Sequence, residues 1–412
     1  MKSKLLINKN FALIWFGKLV SKTGDKFHSI ALAWWILQKS ESPLIMGIVL
    51  IASALPGFLF GPIAGVYVDI KNRKNIIVLT DTLRGALILI LAYLEFFDSL
   101  QLWHIVSISI AISLLSSFFD PAINAMVPEF VDEEQLPKAN ALNQMINGIS
   151  TIIGPIIGAS VVGYIGFFGA FLINGVSFIL SAFFELFISG KAPIKNQQEE
   201  IVKSMTSISI GIKEGFEFLL ERKKILIIIF VIAVVHFAVG SFVVIMPFLA
   251  ESISNGSVYN LGYLEGSLGF GMIIGSIVLN IKHIKNKKDQ LLFIVVAFLG
   301  VLYFSIGGLK LLDINTLVFY LIVISLMGIA IANASTFWQL LLQTNTPKEM
   351  SGRVFSLASM MGNISMPIAY GIIGIVLEWI DFSTFLIILG GSFTLFGIIL
   401  MVFYKKMSIE RV

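Results

Sequence analysis

The sequence predicts an all-α membrane protein with twelve transmembrane helices in two six-helix halves. Of its 412 residues, 57% are hydrophobic and only 13% are charged. A soluble domain cannot bury that much apolar surface, so lipid must surround most of the chain. Apolar stretches recur along the chain, and each reaches the length of about 20 residues that crosses a bilayer. The longest polar gap, residues 190–222, divides these stretches into two equal sets.

The predicted spans follow one another with short polar turns between them. Those of the first half are residues 11–37, 44–68, 75–97, 102–124, 140–164 and 167–189. Those of the second half are residues 223–250, 259–281, 290–312, 316–344, 352–377 and 382–404. We therefore expect an N-terminal half at 1–189, a cytoplasmic linker at 190–222 and a C-terminal half at 223–412. The basic start of the chain lacks a small-residue cleavage site, which indicates a retained first helix rather than a signal peptide.

The linker has a helical pattern of its own. Apolar residues recur there at spacings of three and four, at Ile201, Met205, Ile208, Ile212, Phe216 and Leu219. With Lys, Glu and Ser between them, they predict an amphipathic helix in the membrane interface. The alternative is a solvated linker that is only partly helical.

The distribution of Lys and Arg predicts the orientation. With both termini in the cytoplasm, the outside loops hold only Lys39 and Lys310, and the inside segments hold most of the other bases. Basic residues concentrate on the cytoplasmic side of membrane proteins. We therefore expect a multi-pass protein of the bacterial cytoplasmic membrane. The net charge of +4 then reflects this asymmetry, and nothing in the sequence indicates nucleic-acid binding.

An internal repeat relates the two halves. The segments "GPIAG" at 61–65 and "GMIIG" at 271–275 are 210 residues apart, and each precedes a basic turn. The segments "LPKANALNQM" at 136–145 and "TPKEMSGRVF" at 346–355 share that offset. Two matches at one offset favour duplicated six-helix halves.

Two short motifs carry a family resemblance. Gly65, Asp69 and Arg73 with the following Lys resemble the loop 2–3 signature of the major facilitator superfamily. The segment "GPIIG", which contains Gly154, Pro155 and Gly158, resembles the antiporter signature of the same superfamily.

A finer resemblance points to the macrolide-efflux-like branch of drug:proton antiporters. It rests on "GDKFHSIALAWWIL", "FFDPAINAMVPEFVDEEQLPKANALNQ" and "GRVFSLASMMGNISMP". The resemblance spans the chain and implies the major facilitator fold, secondary active transport and, more loosely, drug or toxin export. It does not fix the substrate.

Each motif can have a role in conformational change or a purely structural role. The resemblance implies that Asp69 and Arg73 stabilise the outward-open state, whereas the alternative is a solvated turn that only maintains orientation. Pro155 can bend its helix because it lacks a backbone donor, and Gly154 and Gly158 leave a smooth packing face. We expect that face to pack against glycines of the eighth helix as a seal between the halves, with ordinary close packing as the alternative.

Acids within the spans are the candidate proton sites. Asp25 is near the middle of the first helix, three residues after Lys22, where an ionised group is expensive to insert. We expect it to change protonation or to meet substrate, with a purely structural pair as the alternative. Glu265 is the competing site, since no Lys or Arg is near it in the sequence.

The remaining charged and polar groups of the spans are weaker candidates. Asp81 and Arg84 are three apart and could pair, with function and structure equally favoured. Asp120 and Glu185 fall near cytoplasmic helix ends, where snorkelling and structural pairing are expected. His236 is a lone histidine, for which packing or hydrogen bonding is favoured over coupling.

The sequence thus predicts an exporter of amphipathic small molecules, drug-like or macrolide-like, that exchanges them for protons. An exporter of an endogenous compound, such as a siderophore or lysophospholipid, is the alternative. A non-transporting sensor or scaffold is the alternative from another class. With no hydrolase triad, phosphate loop or metal-ligand cluster in the sequence, we expect no enzymatic activity and no cofactor. The expected partners are the substrate, protons and the bilayer, and the expected state is a monomer.

Overall fold

The protein forms a set of long α-helices. The computed structural model describes residues 7–189, 214–281 and 288–409, and it contains no β-strand within them. The helices are α1 (Lys9–Ser40), α2 (Pro43–Ile70), α3 (Arg73–Phe96), α4 (Leu102–Phe130), α5 (Leu136–Leu186), α6 (residues 214–221), α7 (Lys223–Glu251), α8 (Val258–Ile281), α9 (Lys288–Leu311), α10 (Leu317–Asn345), α11 (Lys348–Val376) and α12 (Phe382–Ile409). These bounds lie within a few residues of most predicted spans, and the predicted fold class is confirmed.

Ten of the described helices are long and apolar enough to cross a membrane. One of them, α5, contains two predicted spans and bends at Gly166, whose φ of +78° is a conformation that suits glycine. The first helix is not among the ten, because four Lys and Asp residues interrupt its apolar sequence: Lys18, Lys22, Asp25 and Lys26.

The chain separates into two compact units. The first comprises the described residues up to Glu41 and from Ile48 to the end of α5. Within it, both α1 and α3 pack along α5. Small residues permit the close approach: a Cβ on Gly24 would lie 2.2 Å from Ser177 Oγ, and one on Gly85 would lie 3.0 Å from the Gly175 carbonyl oxygen.

The second unit comprises Ser42–Gly47 and the described residues from 214 onward. Its main helix pairs are α8 with α10, α9 with α12, and α7 with α11. The first pair packs through Gly271, where a Cβ would lie 1.9 Å from the Ser325 carbonyl oxygen. An apolar cluster that includes Ile232 and Val235 of α7 fills its interior.

The predicted linker helix is only partly described. Ile201, Met205, Ile208 and Ile212 lie outside the described residues, whereas Phe216 and Leu219 belong to α6. Leu219 is buried in the apolar cluster of the second unit. Glu214 forms a 2.7 Å ion pair with Arg353, so the end of the linker is anchored at the start of α11.

Candidate transport and coupling residues

A partly exposed ionic cluster joins α1 to α4 in the first unit. The ammonium of Lys22 lies 3.9 Å from a carboxylate oxygen of Asp25 and 3.5 Å from one of Asp120. The side chains of Lys22 and Asp25 are about one-third exposed, at 32% and 37%. Lys22 therefore has two carboxylate partners. The pair with Asp120, 98 residues away in the sequence, confirms the expected pairing of that acid.

A second charged group lies deeper in the same unit. Asp81 and Arg84 of α3 form an ion pair, with exposures of 0% and 3%. The guanidinium carbon of Arg84 lies 4.1 Å from the ring centre of Phe119 and 4.6 Å from that of Phe178. Cation–π contacts on both rings help to replace the lost hydration. The local pairing suggested by the three-residue spacing is therefore present.

Glu185 of α5 is fully buried beside this ion pair. The Ser181 hydroxyl lies 3.5 Å from its Oε1 atom, and its Oε2 atom has no hydrogen-bond partner among the described residues. The expectation that Glu185 snorkels to the interface is therefore wrong. Packing of α5 against α1 and α3 covers the side chain, although it is only one residue from the end of its helix.

Two candidate residues belong to the second unit. Glu265 of α8 is half-buried. The Nδ1 atom of His236 lies 2.9 Å from the Ile232 carbonyl oxygen, one helical turn earlier. A Cβ on Gly362 of α11 would lie 3.1 Å from the His236 ring. The ring therefore packs directly against the backbone of α11 at this glycine. Such contacts suit a packing and hydrogen-bonding role.

The charged turn between α2 and α3 is tied to α4. Arg73 lies 3.3 Å from Asp69 and forms a second ion pair with Glu129. It also donates to the Ala125 carbonyl oxygen at 3.3 Å. These contacts lie near the end of α4, where a cation is favoured by the helix dipole. The Asp69 side chain is 73% exposed, and no atom lies within 4 Å of a Cβ built on Gly65.

The "GPIIG" segment of α5 packs against α1. A Cβ on Gly154 would lie 2.6 Å from Lys26 Cβ, and one on Gly158 would lie 3.0 Å from Phe27 Cα. Pro155 is buried within the helix. The prediction that this glycine face packs against the eighth helix is therefore wrong, because α1 packs against it. The roles of Gly154, Pro155 and Gly158 as a seal stay a prediction.

Comparison with known proteins identifies the family. A model of the Major Facilitator Superfamily matches residues 14–370. The chain belongs to this superfamily. Macrolide efflux protein A of Streptococcus pyogenes is 25% identical over 360 residues, which are 87% of each chain. Multidrug efflux pump Tap of Mycolicibacterium fortuitum is 24% identical over 379 residues, which are 89% of this chain and 87% of that one.

Solved structures agree on the fold of this major facilitator protein. A crystal structure of a mutant of the peptide transporter POT matches with a TM-score of 0.76 at 12% identity, over 97% of this chain and 94% of that chain. Together with the family match, this makes the protein a multi-pass membrane transporter and not an enzyme. Within the described residues, no group of three His, Asp or Glu side chains could hold a metal ion.

Sequence reasoning missed three features of this transporter. It gave no role to Glu129, which binds Arg73 from 56 residues away. It left Lys22 with Asp25 as its partner and did not join it to Asp120. It placed Glu185 at the interface. The hydropathy pattern carries no signal for these features, because each depends on which helices are neighbours.

Proposed function

We propose that this transporter exports amphipathic small molecules of the macrolide type in exchange for protons, by alternating access of its two halves. The observation that carries the proposal is the partly exposed cluster of Lys22, Asp25 and Asp120. Ionisable groups within membrane spans are costly and mark ion or substrate pathways. The macrolide and multidrug efflux relatives support the substrate class.

Asp25 is the proposed coupling group, with Glu265 as the competing site. Lys22 has Asp120 as a second partner at 3.5 Å. When Asp25 takes up a proton, Lys22 therefore keeps an ionic partner and is not left as an isolated charge within the membrane span. This arrangement lowers the cost of changing the charge of Asp25 within the membrane.

Transport assays test the function directly. Purified protein in proteoliposomes would be given a radiolabelled macrolide or the cationic dye ethidium, with and without an imposed pH gradient. Gradient-accelerated flux, absent from protein-free liposomes, is expected. Failure of every amphipathic probe, with gradient-driven flux of a lysophospholipid or siderophore, would favour the endogenous-compound alternative. Absence of flux for all probes would favour the sensor or scaffold alternative.

The proposed orientation places both termini in the cytoplasm. The chain has no cysteine, so a single reporter cysteine can be introduced without background labelling. A cysteine at Asn72, in the turn between α2 and α3, should be protected from an impermeant thiol reagent in intact cells. One at Ser257, between α7 and α8, should be labelled. The reverse pattern would overturn the orientation.

A further inference from the structure

The buried group around Glu185 has no role in the function proposed above. Asp81, Arg84 and Glu185 are each at most 3% exposed. The cluster around Lys22, by contrast, is partly open. The first unit therefore holds a sealed ionisable site next to an accessible one.

Arg84 is committed to Asp81. The two side chains form an ion pair, the faces of the guanidinium rest on Phe119 and Phe178, and a further donor lies 3.4 Å from Ser116 Oγ. A buried ion pair is stable only when its two groups keep close geometry. The contacts of Arg84 therefore hold it at Asp81. The guanidinium of Arg84 therefore neutralises the carboxylate of Asp81.

Glu185 has no cation of its own. Among the described residues, no Lys, Arg or His lies within ion-pair distance of it. Its nearest polar neighbour is the Ser181 hydroxyl, 3.5 Å from Oε1. On the α1 side a Cβ on Gly17 would lie 3.8 Å from Glu185 Oε1, so the backbone of α1 closes the site.

The balance of charges decides the protonation state. Two carboxylates share one guanidinium in the sealed group, which leaves one uncompensated negative charge when both are ionised. The lysines of α1 do not correct this, because Asp81 and Arg84 are the charged groups that act on Glu185. Lys22 is paired with Asp25 and Asp120 in the open cluster. An uncompensated buried charge is strongly destabilising. One bound proton removes it.

We propose that Glu185 is a protonated carboxylic acid in the folded transporter, and that its proton is one of those exchanged during export. The first part stands on the burial and contacts of Glu185. The second part rests on the proposed function, because it requires the protein to be a proton-coupled exporter. Glu185 then acts as a proton-binding residue that receives its proton when the site opens to one side of the membrane.

Infrared spectroscopy tests the protonated state without transport. The C=O stretch of a carboxylic acid absorbs at a higher frequency than the stretching bands of a carboxylate. The wild type at neutral pH should show an acid band that shifts when glutamate, but not aspartate, is labelled with carbon-13. Glu185→Gln should remove the band. Glu95→Gln should retain it, because Glu95 accepts a hydrogen bond from the Trp35 indole at 3.0 Å and serves as the matched control.

Either of two spectroscopic results would overturn the protonated state: absence of the glutamate-sensitive band from the wild type, or its persistence in Glu185→Gln. These results would leave the proposed export function intact. Conversely, a wild type that shows the band but no gradient-driven flux would contradict the proposed function and not the state of Glu185.

Flux measurements test the coupling role. The amide of Glu185→Gln imitates the neutral acid, so the protein should fold with a melting temperature near that of the wild type. Gradient-driven export should be lost, whereas downhill exchange of substrate should continue. Wild-type acceleration of export by the gradient in Glu185→Gln would overturn the coupling role. Glu95→Gln should transport as the wild type does.

Discussion

The two halves of this transporter differ in where they place charge. The first unit contains two ion clusters, a partly exposed one around Lys22 and a buried one around Arg84. The spans of the second half carry Glu265 and His236 between apolar stretches. Its described interior contains an apolar cluster built from α6, α7, α9, α10 and α11.

The internal repeat makes this contrast position-specific. At the 210-residue offset that aligns the two glycine motifs, each charged residue of the first-unit clusters has an apolar counterpart. Lys22, Asp25, Asp81, Arg84, Asp120 and Glu185 correspond to Ile232, Val235, Leu291, Ile294, Ala330 and Leu395. Ile232 and Val235 are buried in the apolar cluster of the second unit. The duplicated scaffold is therefore shared, and the ionisable chemistry is concentrated in the first half.

Packing shows the opposite asymmetry. Gly271 of α8 and Gly61 of α2 are equivalent in the repeat. A Cβ on Gly271 would lie 1.9 Å from a backbone oxygen of α10, whereas one on Gly61 would have nothing within 4 Å. The same helix pair is thus tightly packed in the second unit, and its counterpart glycine in the first unit is open. The repeat therefore preserves most helix pairs, such as α3 with α4 and α9 with α10, but not the close packing of the second helix on the fourth at this glycine.

The largest expected effect on stability is at the buried ion pair. Arg84→Gln leaves Asp81 as an uncompensated buried carboxylate and should lower the free energy of unfolding by about 3–5 kcal/mol. Thermal unfolding in detergent would measure the loss. The double variant Arg84→Gln with Asp81→Asn should recover most of it, because no lone charge remains. Equal destabilisation of the single and double variants would show that packing on the two Phe rings dominates.

The next effect distinguishes the two glycines. Gly271→Ala should destabilise the protein by about 1–3 kcal/mol, because the methyl group overlaps α10. Gly61→Ala is the matched control, and it should be neutral or stabilising by up to about 1 kcal/mol, as alanine favours helix. Thermal unfolding of both variants gives the comparison. Equal losses would mean that the two helix pairs pack alike.

The helices were largely predictable, because hydropathy and length encode a membrane span directly. The pairing of Asp81 with Arg84 was predictable from their spacing on one helix. The pairs of Lys22 with Asp120 and of Arg73 with Glu129 were not. They join different helices, and one sequence does not reveal which helices are neighbours.

Burial of the acids was the least predictable property. Asp25 is nearest the middle of its span, yet its side chain is 37% exposed. Glu185 is one residue from the end of its helix, yet it is fully buried. Depth along a helix and coverage by neighbours are independent quantities, and the sequence reports only the first. For the same reason the packing partner of "GPIIG" was assigned to the wrong helix.

The smallest expected effect on stability is at the turn between α2 and α3. Asp69 is largely exposed, so its ion pair with Arg73 should contribute less than about 1 kcal/mol, and Asp69→Asn should unfold at nearly the wild-type temperature. If the turn biases the conformational equilibrium, export should nevertheless fall several-fold. Lys71→Gln, in the same turn, is the control and should transport normally. Wild-type export by Asp69→Asn would indicate a turn that only maintains orientation.

In the proposed mechanism the first half carries the proton chemistry of export. The most direct measurement compares proton-gradient-driven flux of Asp25→Asn with that of Glu265→Gln, in proteoliposomes containing equal amounts of protein. We expect Asp25→Asn to lose acceleration by the gradient while keeping downhill exchange and a melting temperature near that of the wild type, since Lys22 retains Asp120. Glu265→Gln should remain accelerated. Full acceleration of Asp25→Asn, with its loss in Glu265→Gln, would contradict the account and move the coupling site to the second half.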